Sequence, residues 1–129
     1  MLGPTRILIV DDEPDTVGLI EITLKPAGYL LDRAFSGSEA IRKIKEQAYD
    51  LILLDVMMPE ITGFDVVRML HEENKHVPPI IFLTAKDKQE DIELGAVLGA
   101  SAYLVKPATR GQLLDAINTA LYESSDASS

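Results

Sequence analysis

Three carboxylates, a hydroxyl and an ammonium stand where apolar runs end in this chain. Ile7-Leu8-Ile9-Val10 leads into Asp11 and Asp12, Leu51-Ile52-Leu53-Leu54 leads into Asp55, and two further apolar runs end at Thr84 and Lys106. A group placed where a buried strand gives way to a loop is held rigidly yet reaches solvent. Acids gathered there repel one another in a partly desolvated crevice, so either one is protonated or a cation neutralises them. The chain has no Cys, and no His lies near a strand end, so the ligands are hard oxygens. Such oxygens suit Mg2+, with waters completing its octahedral shell. Neighbours on a strand point to opposite sides, so Asp11 and Asp12 need not both ligate directly, and one can act through water. A carboxylate can also attack a phosphoryl group to form an acyl phosphate, and such transfer needs in-line positioning and charge neutralisation more than acid–base help. A cation, Lys106 and Thr84 supply that from three sides. Asp55, on a central run between them, is the best-placed acceptor.

Taken singly, each group has a plainer reading. Asp12-Glu13-Pro14 can be an acidic helix start, Thr84 a β-branched strand residue, and Lys106 a solvated charge. The joint pattern favours the chemistry. Lys106 also precedes Pro107, and an X–Pro bond at such a corner is a candidate for cis geometry that would aim the lysine inward.

The elements that must position these groups alternate along the chain. Strands are expected at Arg6 to Asp11, Tyr29 to Ala34, Leu51 to Asp55, Ile80 to Thr84 and Ala102 to Lys106. The first, third and fourth are almost wholly apolar, which fits central strands buried on both faces. The second, with Asp32 and Arg33, reads as an edge, and the short fifth as the other edge. The first helix starts near Pro14, turns Thr16, Ile20 and Leu24 inward, and ends around Pro26 with Gly28 as cap. Ser36-x-x-Glu39 and Thr109-x-x-Gln112 are capping boxes for the second and fifth helices. Gly63 precedes the third, and the fourth spans about Lys88 to Leu98. Strict alternation predicts an α/β three-layer sandwich, a flavodoxin-like five-stranded parallel sheet of order 2-1-3-4-5 with five helices. Its switch point lies between the first and third strands, where Asp11, Asp12 and Asp55 would meet. Residues 5–122 form one domain, and the polar stretch 123–129 is expected to be a tail or linker.

Composition narrows the function classes. With 129 residues, 47% of them hydrophobic, the chain can bury one core and leaves no room for a second sizeable one. Its formal charge of -9 argues against direct nucleic-acid binding, which relies on Lys and Arg. The apolar runs are strand-sized, too short for a membrane span, and nothing near Met1 resembles a signal peptide. A soluble cytoplasmic protein is expected.

Asp11-Asp12, Asp55 with Pro59 and Gly63, Thr84-Ala85 and Lys106-Pro107, in this order at strand ends, resemble the receiver domain of two-component response regulators. The resemblance covers roughly residues 5–122. It implies that Asp55 accepts a phosphoryl group from the phosphohistidine of a histidine kinase or histidine-phosphotransfer protein. It also implies Mg2+ binding by Asp12, Asp55 and the backbone carbonyl of Met57, with Asp11 acting through water, and contacts from Lys106 and Thr84 to the phosphoryl group. Tyr103 matches the family's switch aromatic, which turns inward as Thr84 moves and reshapes the surface of the fourth helix, fifth strand and fifth helix for a downstream effector. Its plainer reading is a half-buried strand aromatic.

The chain departs from the family in places. Ala108 stands where many receivers carry an aromatic. Ser101, Ala102, Asp115, Ala116 and Asn118 lack the charges by which one large subfamily of DNA-binding regulators pairs, so dimerisation through that network is not expected. Met57 and Lys86 occupy the two variable positions flanking the pocket, and their bulk predicts a phosphoryl group that persists for minutes or longer. Pro14, Gly18 and Ile22 are the expected docking positions on the outward side of the first helix. The alternative is an interaction scaffold that is never phosphorylated, against which Asp12, Asp55 and Lys106 argue. A flavin carrier would need a Gly- and hydroxyl-rich loop where Asp11-Asp12-Glu13 stands. An aspartyl-phosphate hydrolase would need a cap for which there is no room.

Overall fold

A computed structural model describes residues 3–73 and 76–127. Strands β1 (Arg6–Val10), β2 (Leu30–Ala34), β3 (Leu51–Leu54), β4 (Ile80–Thr84) and β5 (Ala102–Val105) alternate with helices α1 (Pro14–Leu24), α2 (Gly37–Glu46), α3 (Gly63–Glu73), α4 (Gln89–Val97) and α5 (Arg110–Ala127). All strand pairs are parallel and their order is β2-β1-β3-β4-β5, as expected.

The near-continuous apolarity of the central strands follows from their having helices on both sides. Ile7, Ile9, Leu51, Leu53, Ile81 and Leu83 face α1 and α5, where they pack on Val17, Ile20, Leu24, Leu113 and Ile117. The alternate residues Leu8, Val10, Ile52, Leu54 and Phe82 face the other layer, against Ala40, Ile41, Phe64, Val67 and Leu70. On α1 the buried stripe is Val17, Ile20 and Leu24, with Thr16 half-buried at its margin. The more apolar Val17 takes the place expected of Thr16, one position along the same face. After Leu24 the chain tightens into a 3-10 turn over Lys25–Ala27, and Gly28 closes it at φ 89°. Both capping boxes form at the helix N-termini: Ser36 Oγ accepts from Glu39 N–H, and Thr109 Oγ1 from Gln112 N–H. α5 continues to Ala127, into the stretch expected to be a polar tail, and residues 128 and 129 lie outside the described residues.

Three strands stop one residue earlier than expected, so Asp11, Asp55 and Lys106 are each the first residue beyond a strand. Their backbones are nonetheless tied down. Asp11 N–H donates to Ala34 O (3.1 Å), Asp55 N–H to Val10 O (2.9 Å) and Lys106 N–H to Thr84 O (2.8 Å). Each functional residue thus hangs from the neighbouring strand by its own amide.

Candidate phosphoacceptor site

At the C-terminal edge of the sheet, Asp11, Asp12 and Asp55 each bring a carboxylate oxygen into a cluster in which all three lie within 4.8 Å of one another. Strand alternation ceases at Val10, which lets the adjacent Asp11 and Asp12 both contribute. Lys106 closes the cluster: its Nζ lies 2.6 Å from Asp11 Oδ2 and 3.3 Å from Asp55 Oδ2. The Lys106–Pro107 peptide is cis. Asp11, Asp55 and Thr84 are buried, with 1%, 4% and 0% of their surface exposed, whereas Asp12 is half-buried.

The same local turn recurs at three of the strand ends. Asp11 Oδ1 accepts the N–H of Glu13 (3.0 Å), Asp55 Oδ1 that of Met57 (3.0 Å), and Thr84 Oγ1 that of Lys86 (3.3 Å). Side chains that bond the backbone two residues on are characteristic of Asp and Thr at turns. The turn occupies one oxygen of Asp11 and of Asp55, and leaves the second oxygen of each to Lys106. Met57 enters the site through its backbone, while its side chain is 53% exposed.

Gly63, expected to precede the third helix and counted in the motif with Asp55 and Pro59, also has a steric role. It begins α3 directly beneath Asp55, and a Cβ there would lie 2.3 Å from the carbonyl oxygen of that residue. Only glycine lets the helix come this close to the strand end.

Electrostatics agree with a site built for a cation. Burial raises the Asp11 pKa above the ordinary carboxylate value; Lys106 and the Glu13 amide pull it down, and the charge of Asp55 pushes it further up. For Lys106 burial works against the charge, but the hydrogen bond to Asp11 and the charges of Asp55 and Asp11 outweigh it, so its pKa rises. One ammonium therefore does not fully offset three clustered carboxylates. Hard oxygen donors with uncompensated negative charge fit Mg2+.

Tyr103 is half-buried on β5, where its ring lies 5.8 Å from that of Phe82 and its hydroxyl donates to Lys86 O (2.8 Å). Its hydroxyl pKa is pushed up to about 12 by burial and by the charges of Asp91, Asp55 and Asp87. On α1, Gly18 and Ile22 border a groove against Tyr29, Leu30, Leu31 and Arg33, and Pro14 is exposed at the helix start. A different groove runs beside Lys106, lined by Thr16, Leu19, Ile20, Thr23, Ala108 and Leu113. Leu19, 67% exposed there, was not among the expected docking positions. The apolar residue left outside the buried stripe of α1 is the signal that would have found it. His71 is exposed and bonds through its ring to Leu98 O (3.2 Å), far along α3 from the acids.

Comparison with known proteins agrees with this geometry. The response regulator receiver domain family model matches residues 7–118. The alkaline phosphatase synthesis transcriptional regulatory protein PhoP of Bacillus subtilis is 43% identical over 102 residues, 79% of this chain and 42% of PhoP. Like PhoP, the other curated relatives it matches are longer, and the chain spans about half their length. Among solved structures, the chemotaxis protein CheY4 of Vibrio cholerae superimposes with a TM-score of 0.84 at 32% identity, over 92% of this chain and all of that one. A CheY-like receiver domain protein of Methanospirillum hungatei gives 0.89 at 27% identity, over 97% and 99% of the two chains.

Proposed function

This chain belongs to the response regulator receiver domain family, and from that membership we propose that it is a phosphorylation-dependent switch with Asp55 as acceptor. The observation that carries the proposal is the placing of Lys106 Nζ across Asp11 Oδ2 and Asp55 Oδ2, with Asp12 in the same cluster. The donor is the phosphohistidine of a histidine kinase or histidine-phosphotransfer protein. Asp55 Oδ2, the oxygen that faces Lys106, attacks phosphorus in line, the bond from phosphorus to the imidazole nitrogen breaks, and the electron pair leaves with the imidazole. Asp55 Oδ1 stays fixed by the Met57 amide, which holds the attacking oxygen in one orientation. Lys106, already at hydrogen-bond distance from Asp55, neutralises charge on the transferred oxygens. Thr84 lends its hydroxyl from the adjoining strand end, where its oxygen already accepts from Lys86.

Asp12, Asp55 and the Met57 carbonyl would hold Mg2+, with Asp11, whose Oδ2 lies 2.6 Å from Lys106 Nζ, acting through water. When bound, the ion would supply positive charge that offsets the clustered carboxylates and the phosphoryl oxygens. Movement of Thr84 towards the phosphoryl group would pass to Tyr103 through Lys86, which bonds to both. The surface of α4, β5 and α5 is then the output face for a downstream effector. Donor docking uses Pro14, Gly18 and Ile22 on α1. The protein's own chemistry is confined to taking and losing the phosphoryl group.

Incubation with acetyl phosphate and Mg2+, followed by intact mass measurement, tests the assignment. Wild type gains one phosphoryl adduct and Asp55→Asn gains none; an adduct that persists in Asp55→Asn overturns it.

A further inference from the structure

Lys86 makes three contacts, and only two belong to the path just described. Its amide donates to Thr84 Oγ1 and its carbonyl accepts from the Tyr103 hydroxyl. The third runs from its ammonium to Asp91 Oδ1, 3.4 Å away in the first turn of α4. The two ends of this pair differ in environment. The Lys86 side chain is 43% exposed, whereas that of Asp91 is 12% exposed and its Oδ2 accepts no hydrogen bond from any described residue. A buried carboxylate oxygen without a donor is costly, and its partner is a single long contact from a flexible, well-hydrated lysine. The pair is thus strong enough to orient Lys86 and weak enough to be exchanged. Lys86 and Asp91 also line the same cleft as Val56 and Met57, immediately beyond Asp55.

We propose that Lys86 and Asp91 form a latch on the first turn of α4, which opens when Asp55 is phosphorylated and the Lys86 ammonium transfers from Asp91 to the phosphoryl oxygens. This rests on Asp55 as acceptor and adds the element that the phosphoryl charge releases. The group brings roughly two negative charges and three strong acceptor oxygens into the cleft, against one carboxylate oxygen at Asp91. Losing Lys86, its one ion-pair partner among the described residues, leaves the Asp91 carboxylate uncompensated with a buried Oδ2, so the first turn of α4 must loosen or turn to hydrate it. The device gives α4 its own trigger, parallel to the movement of Thr84 and Tyr103.

Amide hydrogen exchange over residues 88–94 tests the latch, with and without Mg2+ and beryllofluoride as the phosphoryl mimic. In wild type the mimic should speed exchange there severalfold. Lys86→Gln should show that faster exchange at rest, whereas Asp91→Asn, which removes the charge that needs hydrating, should exchange like resting wild type and show no rise with the mimic, and the double variant should follow Asp91→Asn. Glu90→Gln removes a charge from the same helical turn without touching Lys86, and should exchange like wild type. Unchanged exchange in resting Lys86→Gln, a rise in Asp91→Asn when the mimic is added, or a resting rise in Glu90→Gln equal to that of Lys86→Gln, overturns the latch. A wild type that binds the mimic at Asp55 with residues 88–94 unaltered overturns the transfer of Lys86. Failure of wild type to take any phosphoryl group or mimic, read by mass, overturns the acceptor role and the transfer with it, while the resting variants still judge the pair itself.

Discussion

Replacing Gly63 by alanine should displace Asp55 from below. The added Cβ falls 2.3 Å from Asp55 O, about 1 Å short of the 3.4 Å at which ordinary contact begins, and 2.9 Å from both Asp55 C and Val56 Cα, about 0.5 Å short. All three atoms are backbone, so no side chain can rotate away. Either α3 or the loop after β3 must shift by about that 1 Å, and overpacking of this kind costs roughly 1–3 kcal/mol. Alanine is the better helix former by up to about 1 kcal/mol, which offsets part of the cost and leaves a net loss of about 1–2 kcal/mol. For a domain of this size that lowers the melting temperature by roughly 3–8 °C. The effect on chemistry should be larger, because a 1 Å misplacement of a reacting group can cost about a hundredfold in rate. Urea unfolding followed by circular dichroism reads the stability, and the rate of phosphorylation by acetyl phosphate reads the site. Gly18→Ala is the control: its Cβ would meet nothing within 4 Å on α1, so helix propensity alone should stabilise it by roughly 0.5–1 kcal/mol. Wild-type stability together with a rate within about twofold of wild type in Gly63→Ala would refute the steric reasoning.

Three further outcomes follow from the same geometry. Because burial raises the Asp11 pKa above its unfolded value of 3.8, the folded state holds that proton more tightly, and the charged carboxylate opposes folding above that pH. Asp11→Asn should therefore be more stable than wild type near neutrality without Mg2+, with the difference closing below about pH 4; a difference that is constant with pH would sink this. With Met57 and Lys86 flanking the acceptor in one cleft, radiolabelled phosphoprotein should keep its label for minutes or longer, with Met57→Asn measured alongside, and a wild-type lifetime of seconds ends the idea. Ser101, Ala102, Asp115, Ala116 and Asn118 offer no complementary charges, so size-exclusion chromatography with beryllofluoride should show no dimer that high salt or Asp115→Ala abolishes.

The fold was legible because its signals are long-range and redundant. Runs such as Ile7 to Val10 and Leu51 to Leu54 are buried on both faces, so they read as central strands whatever their exact ends. The cluster was legible for a related reason: a charged residue abutting such a run has nowhere to go but the sheet edge. Contacts between segments distant in sequence were not legible. The fit of Gly63 under Asp55 depends on where α3 lands, and the groove at Leu19 depends on how α1 meets α5. The length of α5 was hidden because Glu123-Ser124-Ser125-Asp126 lacks an apolar stripe, and a helix already nucleated by its buried face can extend through such residues.

The recurring turn at Asp11, Asp55 and Thr84 separates what must stay from what can vary. Glu13, Met57 and Lys86 each serve the site through a backbone N–H, which any residue except proline provides. Their side chains are therefore released from holding the cluster, and the turns carry those of Met57 and Lys86 into one cleft beside Asp55. A bulky Met57 can tune how fast water reaches the phosphoryl group, and Lys86 can couple it to α4, without moving Asp55. On the proposed function, acceptance of the phosphoryl group and its persistence are thus set by different atoms of these turns: the carboxylates and hydroxyl that accept the amides, and the Met57 and Lys86 side chains attached to the amides that donate.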